Sequence, residues 1–100
     1  MNDQVVTVSV VLLAKPGLES RLRQVLAALI APSRAEDGCL NYYMHESRET
    51  PGLFMLYMNW RDEAAFNRHV ATPHVQAFDN DQAGELLAEP YVVSRWRHLG

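Results

Sequence analysis

The chain has 100 residues, 48% hydrophobic and 21% charged, with a net charge of −3. That length fits one domain, residues 1–100, with a single modest core, and the balance argues against a disordered or membrane-spanning chain. A pI near 5.7 and nine scattered basic residues argue against a nucleic-acid partner, which needs a clustered basic face.

The amino terminus lacks a basic leader region, and the apolar run Val5–Ala14 is too short to span a bilayer. A cytoplasmic protein without membrane contact is expected. The single cysteine, Cys39, rules out an internal disulfide or a multi-cysteine metal site. It follows Gly38 at an apparent strand start, so it reads as a buried, inert thiol rather than a nucleophile.

Gln4–Ala14 is rich in β-branched residues and predicts a strand whose two faces are both largely apolar. Lys15-Pro16-Gly17 ends it. Leu18, Leu22, Val25, Leu26, Leu29 and Ile30 recur at helical spacing and predict an amphipathic helix over Leu18–Ala31, with Pro32 as its brake. Cys39–Ser47 and Leu53–Arg61 predict two strands joined by the turn Arg48–Gly52, an antiparallel hairpin. Pairing Ser47 with Leu53 sets Tyr42 against Met58 and Met44 against Leu56. Leu40, Tyr42, Met44, Leu56, Met58 and Trp60 then share one face, and Asn41, Tyr43, His45, Met55, Tyr57 and Asn59 the other. Asp62 suits the N-cap of a helix over Glu63–Ala71. Thr72-Pro73 interrupts it, His74–Ala88 is helical or irregular, and Tyr91–Leu99 predicts a closing strand.

The order β-α-β-β-α-β points to a ferredoxin-like α+β sandwich, with helices on one face of an antiparallel sheet. Two helices leave the other face uncovered, although the first strand and the hairpin are apolar on both sides. Such a face is an association surface, and a homodimer packed through the sheet is expected.

No nucleophile elbow, phosphate loop, dinucleotide fingerprint or zinc-protease motif is present. His69 and His74 are five apart across Pro73, not the spacing that aims two imidazoles at one metal, so no metal is expected. His69 falls with Phe66 and Val70 on the inward stripe of its helix. It is either a buried histidine satisfied by a backbone carbonyl or a neutral imidazole that moves a proton in an apolar pocket. Met44, Met55 and Met58 suit core filler, and Tyr42, Tyr43 and Tyr57 suit a pleated surface. His45 and His98 receive no role.

The run Tyr57-Met58-Asn59-Trp60-Arg61-Asp62-Glu63-Ala64-Ala65-Phe66, followed by His69 and by Thr72-Pro73-His74, resembles the antibiotic biosynthesis monooxygenase family. Members show an aromatic, an acidic residue, a variable residue and Trp, then an acidic turn with small residues and a His nine positions after the Trp. Trp60 and His69 stand at that distance. Glu36–Tyr43, "EDGCLNYY", resembles the family's Gly-Cys-Leu-x-Tyr strand start and aligns Tyr42.

The resemblance implies a dimeric ferredoxin-like α+β barrel of the quinol monooxygenase kind. It would oxidise a small aromatic molecule with oxygen and without metal, flavin or haem. A phenol must lose a proton before its anion passes an electron to oxygen, so the protein needs a base, an oriented ring and a dry pocket. His69 is the candidate base, Trp60, Tyr42, Phe66 and Tyr57 the candidate walls, and Met58 and His74 further binding positions. One residue departs from the pattern: the acidic position two before Trp60 is Met58, so a carboxylate that would orient the histidine is missing there. Haem-degrading relatives carry an Asn on the first strand and a later Trp. Here that strand has no Asn between Val5 and Ala14 and the matching Trp position is His69, so haem is not expected. The competing reading is a non-catalytic or isomerase-type small-molecule-binding protein on the same fold.

Overall fold

Strand β1, Val6–Leu13, lies inside the sheet because it pairs on both edges. A computed structural model describes residues 4–100. The first three residues, part of the stretch read for a leader, lie outside them. Helices α1 (Glu19–Ala27) and α2 (Ile30–Arg34) follow β1, then β2 (Cys39–Glu46), β3 (Leu53–Trp60) and α3 (Glu63–Val70). Next come α4 (Pro73–Ala77), a π-helical turn over Phe78–Gln82, α5 (Ala83–Leu86) and β4 (Val92–Trp96). The sheet order is β2-β3-β1-β4, and every neighbouring pair is antiparallel. This is the expected ferredoxin-like α+β sandwich.

Alternation along the strands makes the core. Val8, Val10 and Leu12 of β1 and Phe54, Leu56, Met58 and Trp60 of β3 point to the helical layer and are buried. Leu22 and Leu26 of α1 and Ala65 and Phe66 of α3 close over them. The hairpin takes the expected register, Tyr42 opposite Met58 and Met44 opposite Leu56, and the Ser47 N–H donates to the Leu53 carbonyl at 2.8 Å.

Three expectations need correction. Leu40 does not share the inward face: the register shifts between Cys39 and Asn41, a bulge that turns Leu40 outward at 55% exposure. The single helix expected over Leu18–Ala31 is two, because the chain turns at Ala28-Leu29. Pro32 is the third residue of α2 rather than a stop, since the first-turn N–H groups of a helix have no internal partner anyway. The closing strand is shorter than Tyr91–Leu99, because its ladder ends where Trp96 meets Thr7 near the start of β1.

The sheet face away from the helices carries Val11, Tyr43, Tyr57, Val92 and Trp96, all well exposed. On it the Trp96 indole N–H donates to the Ser9 hydroxyl at 2.8 Å.

The loop from α2 to β2 is pressed against α3 at Gly38. Gly38 has φ +91°, and a Cβ there would lie 2.5 Å from the Ala65 Cβ. Its carbonyl accepts from the Arg61 N–H at 2.7 Å. Gly38→Ala should therefore cost the left-handed backbone penalty of about 1–2 kcal/mol plus a steric term, together more than about 2 kcal/mol. Gly17→Ala, at φ +88° with nothing within 4 Å, should cost only the first part. Urea unfolding of both variants checks this, and equal losses would contradict the close approach.

Candidate functional site

Helix α3 begins at the Asp62 cap, whose carboxylate accepts from the Ala65 N–H at 2.8 Å. From there Phe66 and His69 fall on the inward stripe, His69 only 6% exposed. The helix ends one turn later. The Thr72 hydroxyl donates to the His69 carbonyl at 2.7 Å and accepts from the Val75 N–H at 3.4 Å. Pro73, as first residue of α4, fits a position that needs no N–H. This break lets His74 swing beside His69, with ring centroids 6.1 Å apart.

Both imidazoles meet one carboxylate. Glu36 Oε2 accepts from His69 Nδ1 at 2.8 Å and from His74 Nε2 at 2.7 Å. A carboxylate oxygen only accepts, so each of those nitrogens carries its hydrogen. The side chains of Glu36, His69 and His74 are 13%, 7% and 22% exposed. Burial lowers the His69 pKa, and His74 pushes the same way, while the hydrogen bond and charge of Glu36 oppose. The net result favours the neutral ring.

The Trp60 ring stacks on His69 at 4.4 Å between centroids, tilted by 32°, and Tyr42 meets it edge-on at 6.0 Å. Burial pushes the Tyr42 hydroxyl up to about 12, so it stays a phenol at neutral pH. The neighbouring Ser33 hydroxyl slightly eases its ionisation but lies outside good hydrogen-bond geometry, as Ser33 Oγ has no partner.

His69 opens onto a cavity of about 250 Å³ between the sheet and the helices. Tyr42, Met58 and Phe66 line it with Val10, Leu56 and Phe78. Its wall is apolar except for His69, the Tyr42 hydroxyl, Asp79 and Tyr91. The Tyr91 hydroxyl donates to Asp79 Oδ1 at 2.7 Å; burial, aided by Asp79, raises its pKa to about 12. Since His69 Nδ1 is engaged by Glu36, Nε2 is the ring nitrogen left for the cavity, and it is not among the fully buried, unpartnered atoms.

Of the residues singled out in the sequence, Tyr42, Met58, Phe66 and His69 are brought together on this wall. Three sit elsewhere. Trp60 is fully buried behind His69 rather than on the cavity surface. Tyr57 is opposite Ser9 and Tyr43 on the far sheet face, 38% exposed, because successive strand residues point to opposite sides. His74 faces Glu36 and not the cavity.

Sequence reasoning missed Glu36, Asp79 and Tyr91. Glu36 stands in the same "EDGCLNYY" run that aligned Tyr42, and supplies from the loop the carboxylate that Met58 does not. Cys39 is half-buried, and burial raises its pKa, which suits an inert thiol.

The chain is 39% identical over 80 residues to "Putative monooxygenase Rv0793" of Mycobacterium tuberculosis, covering 80% of this chain and 77% of that protein. The solved structure of Rv0793 matches with a TM-score of 0.89, 35% identity and 96% of each chain covered. YcnE of Bacillus subtilis, likewise named, is 33% identical over 81 residues, 81% of this chain and 84% of its own. The crystal structure of PA3566 from Pseudomonas aeruginosa matches with a TM-score of 0.90 at 36% identity, over 97% of this chain and 96% of that one. The model of the antibiotic biosynthesis monooxygenase family matches residues 5–81, and the chain belongs to that family.

Proposed function

We propose that this protein is a cofactor-independent monooxygenase that oxidises a small aromatic quinol with molecular oxygen. The observation that carries the reading is His69, held by Glu36 at 2.8 Å and facing a largely apolar cavity. With its hydrogen on Nδ1, the ring offers the lone pair of Nε2 as a general base. Deprotonation makes the substrate its own reductant. The phenolate passes an electron to oxygen, the two radicals join through a new carbon–oxygen bond, and the peroxide loses water. One hydroquinone and one dioxygen give one hydroxyquinone and one water. Tyr42, Met58 and Phe66 would hold the ring, and the apolar wall would exclude water. Trp60, stacked on His69, would fix the base without touching substrate.

The same proposal includes a cytoplasmic homodimer through the open sheet face. Val11, Tyr57, Val92 and Trp96 form an exposed apolar surface there, and removing such area from water is worth about 25 cal/mol per Å². The single unpaired cysteine suits a reducing compartment. Among the described residues no helix is long and apolar enough to cross a membrane.

Oxygen uptake on a panel of hydroquinones tests the chemistry. His69→Ala should lower turnover by about 10²–10⁴-fold, the usual range for a general base, while remaining folded. Tyr42→Phe keeps the ring and should cost far less. Equal rates in folded His69→Ala would remove the base. Quinol binding with uptake no faster than autoxidation would favour the binding-protein alternative.

Glu36→Gln should lower kcat, by no more than His69→Ala does, and leave KM little changed, because Glu36 acts through His69. A rise in KM alone would place Glu36 in substrate binding.

Sedimentation at micromolar concentration should give twice the 11.4 kDa chain mass, and Tyr57→Arg should shift it toward monomer. A monomer in the unsubstituted protein would contradict the sheet-face interface.

A further inference from the structure

The carboxylate of Glu36 is mostly buried, yet among the described residues its only ion-pair partners are two histidines. No lysine or arginine reaches it: Arg34 turns instead to the Tyr42 carbonyl, at 3.0 Å and 2.8 Å. A buried anion without a cation is unfavourable.

The donor geometry is also distinctive. The two imidazoles do not take one carboxylate oxygen each; both ring nitrogens aim at Oε2. His69 Nδ1, His74 Nε2 and a Glu36 oxygen all lie within 4.8 Å of one another. The three come from separate elements: the α2–β2 loop, α3 and α4. Each is fixed locally, His69 through the Thr72 hydroxyl, His74 by the start of α4, and Glu36 by the Cys39 N–H donating to its carbonyl at 3.2 Å.

We propose that Glu36, His69 and His74 form a binding site for a divalent transition-metal ion of the zinc type, beside the substrate cavity and sharing His69 with it. Two imidazoles and one carboxylate suit zinc, cobalt or nickel; magnesium and calcium want oxygen ligands. Tetrahedral bonds of about 2.0–2.2 Å set ligand atoms roughly 3.3 Å apart. The present 2.7 and 2.8 Å contacts would therefore open by about half an ångström, a small side-chain rotation. The 22% exposure of the His74 side chain gives a route from solvent, and water would fill the remaining position. Glu36 would at last have a countercharge.

Occupancy has a consequence for the ring. A metal on Nδ1 of neutral His69 displaces the hydrogen to Nε2, the nitrogen assigned above as the base. Metal binding and proton acceptance then exclude each other. This mutual exclusion rests on the proposed function, whereas the binding itself does not.

The test uses the intact protein freed of metal by chelation, without substrate. Cobalt(II) should bind one ion per chain and give the intense visible bands of a tetrahedral site, and zinc should displace it. Glu36→Gln and His74→Ala should each weaken binding by at least about 10–100-fold, the loss that even an outer-sphere partner brings. A double His45→Ala, His98→Ala variant should bind normally.

Nitrogen NMR of the unsubstituted protein covers the case in which a variant fails to fold. Added zinc should move the ring signals of His69 and His74 and shift the His69 hydrogen from Nδ1 to Nε2. No saturable cobalt binding, binding that survives Glu36→Gln, or zinc shifts confined to His45 and His98 would each overturn the site. Oxygen uptake is read separately, so failure of this inference and failure of the oxygenase reading remain distinguishable.

Discussion

Glu36 Oε2, placed between two imidazole nitrogens at 2.8 and 2.7 Å, is the contact on which the rest of the site depends. It fixes the hydrogen of His69 on Nδ1 and so decides which nitrogen is left for the cavity. To bring it there the chain makes two concessions. The α2–β2 loop approaches α3 so closely that only glycine fits at position 38, and the helix after β3 breaks at Thr72-Pro73 so that His74 turns inward.

The sheet supplies the other half. Because strand side chains alternate, β2 and β3 give the cavity Tyr42, Leu56 and Met58, and the open face Tyr43, Tyr57 and Met55. One hairpin thus serves both a candidate reaction chamber and a candidate interface. Met58, at the position where the family resemblance implied an acid, is apolar and buried. A carboxylate there would have lain in the cavity wall. Glu36 instead reaches His69 from outside the cavity, which leaves the chamber apolar beside the base.

Much of this was legible in the sequence, and the limits follow from distance along the chain. The strands, the Asp62 cap and the Tyr42–Met58 register come from local periodicity and turn chemistry, and all three appear in the structure. The inward placement of His69 follows from its spacing to Phe66. The bulge at Leu40 depends on how β2 meets the end of β3, which no period in β2 reveals. The convergence of Glu36 on His69 and His74 joins residues 33 and 38 apart, so it emerges only from the packing of a loop on two helices. Tyr57 and Trp60 show the converse. The family resemblance suggested a pocket wall for both, but facing direction put one on the open sheet and the other behind the base.

The proposed reaction places one atom of dioxygen in an aromatic quinol held beside His69. Turnover under oxygen-18 gas, with products analysed by mass spectrometry, tests it most directly. One labelled oxygen atom is expected in the hydroxyquinone and the other in water, with label incorporation suppressed in folded His69→Ala. Label found wholly in hydrogen peroxide, with an unlabelled quinone, would show oxidation without insertion and exclude the monooxygenase reaction.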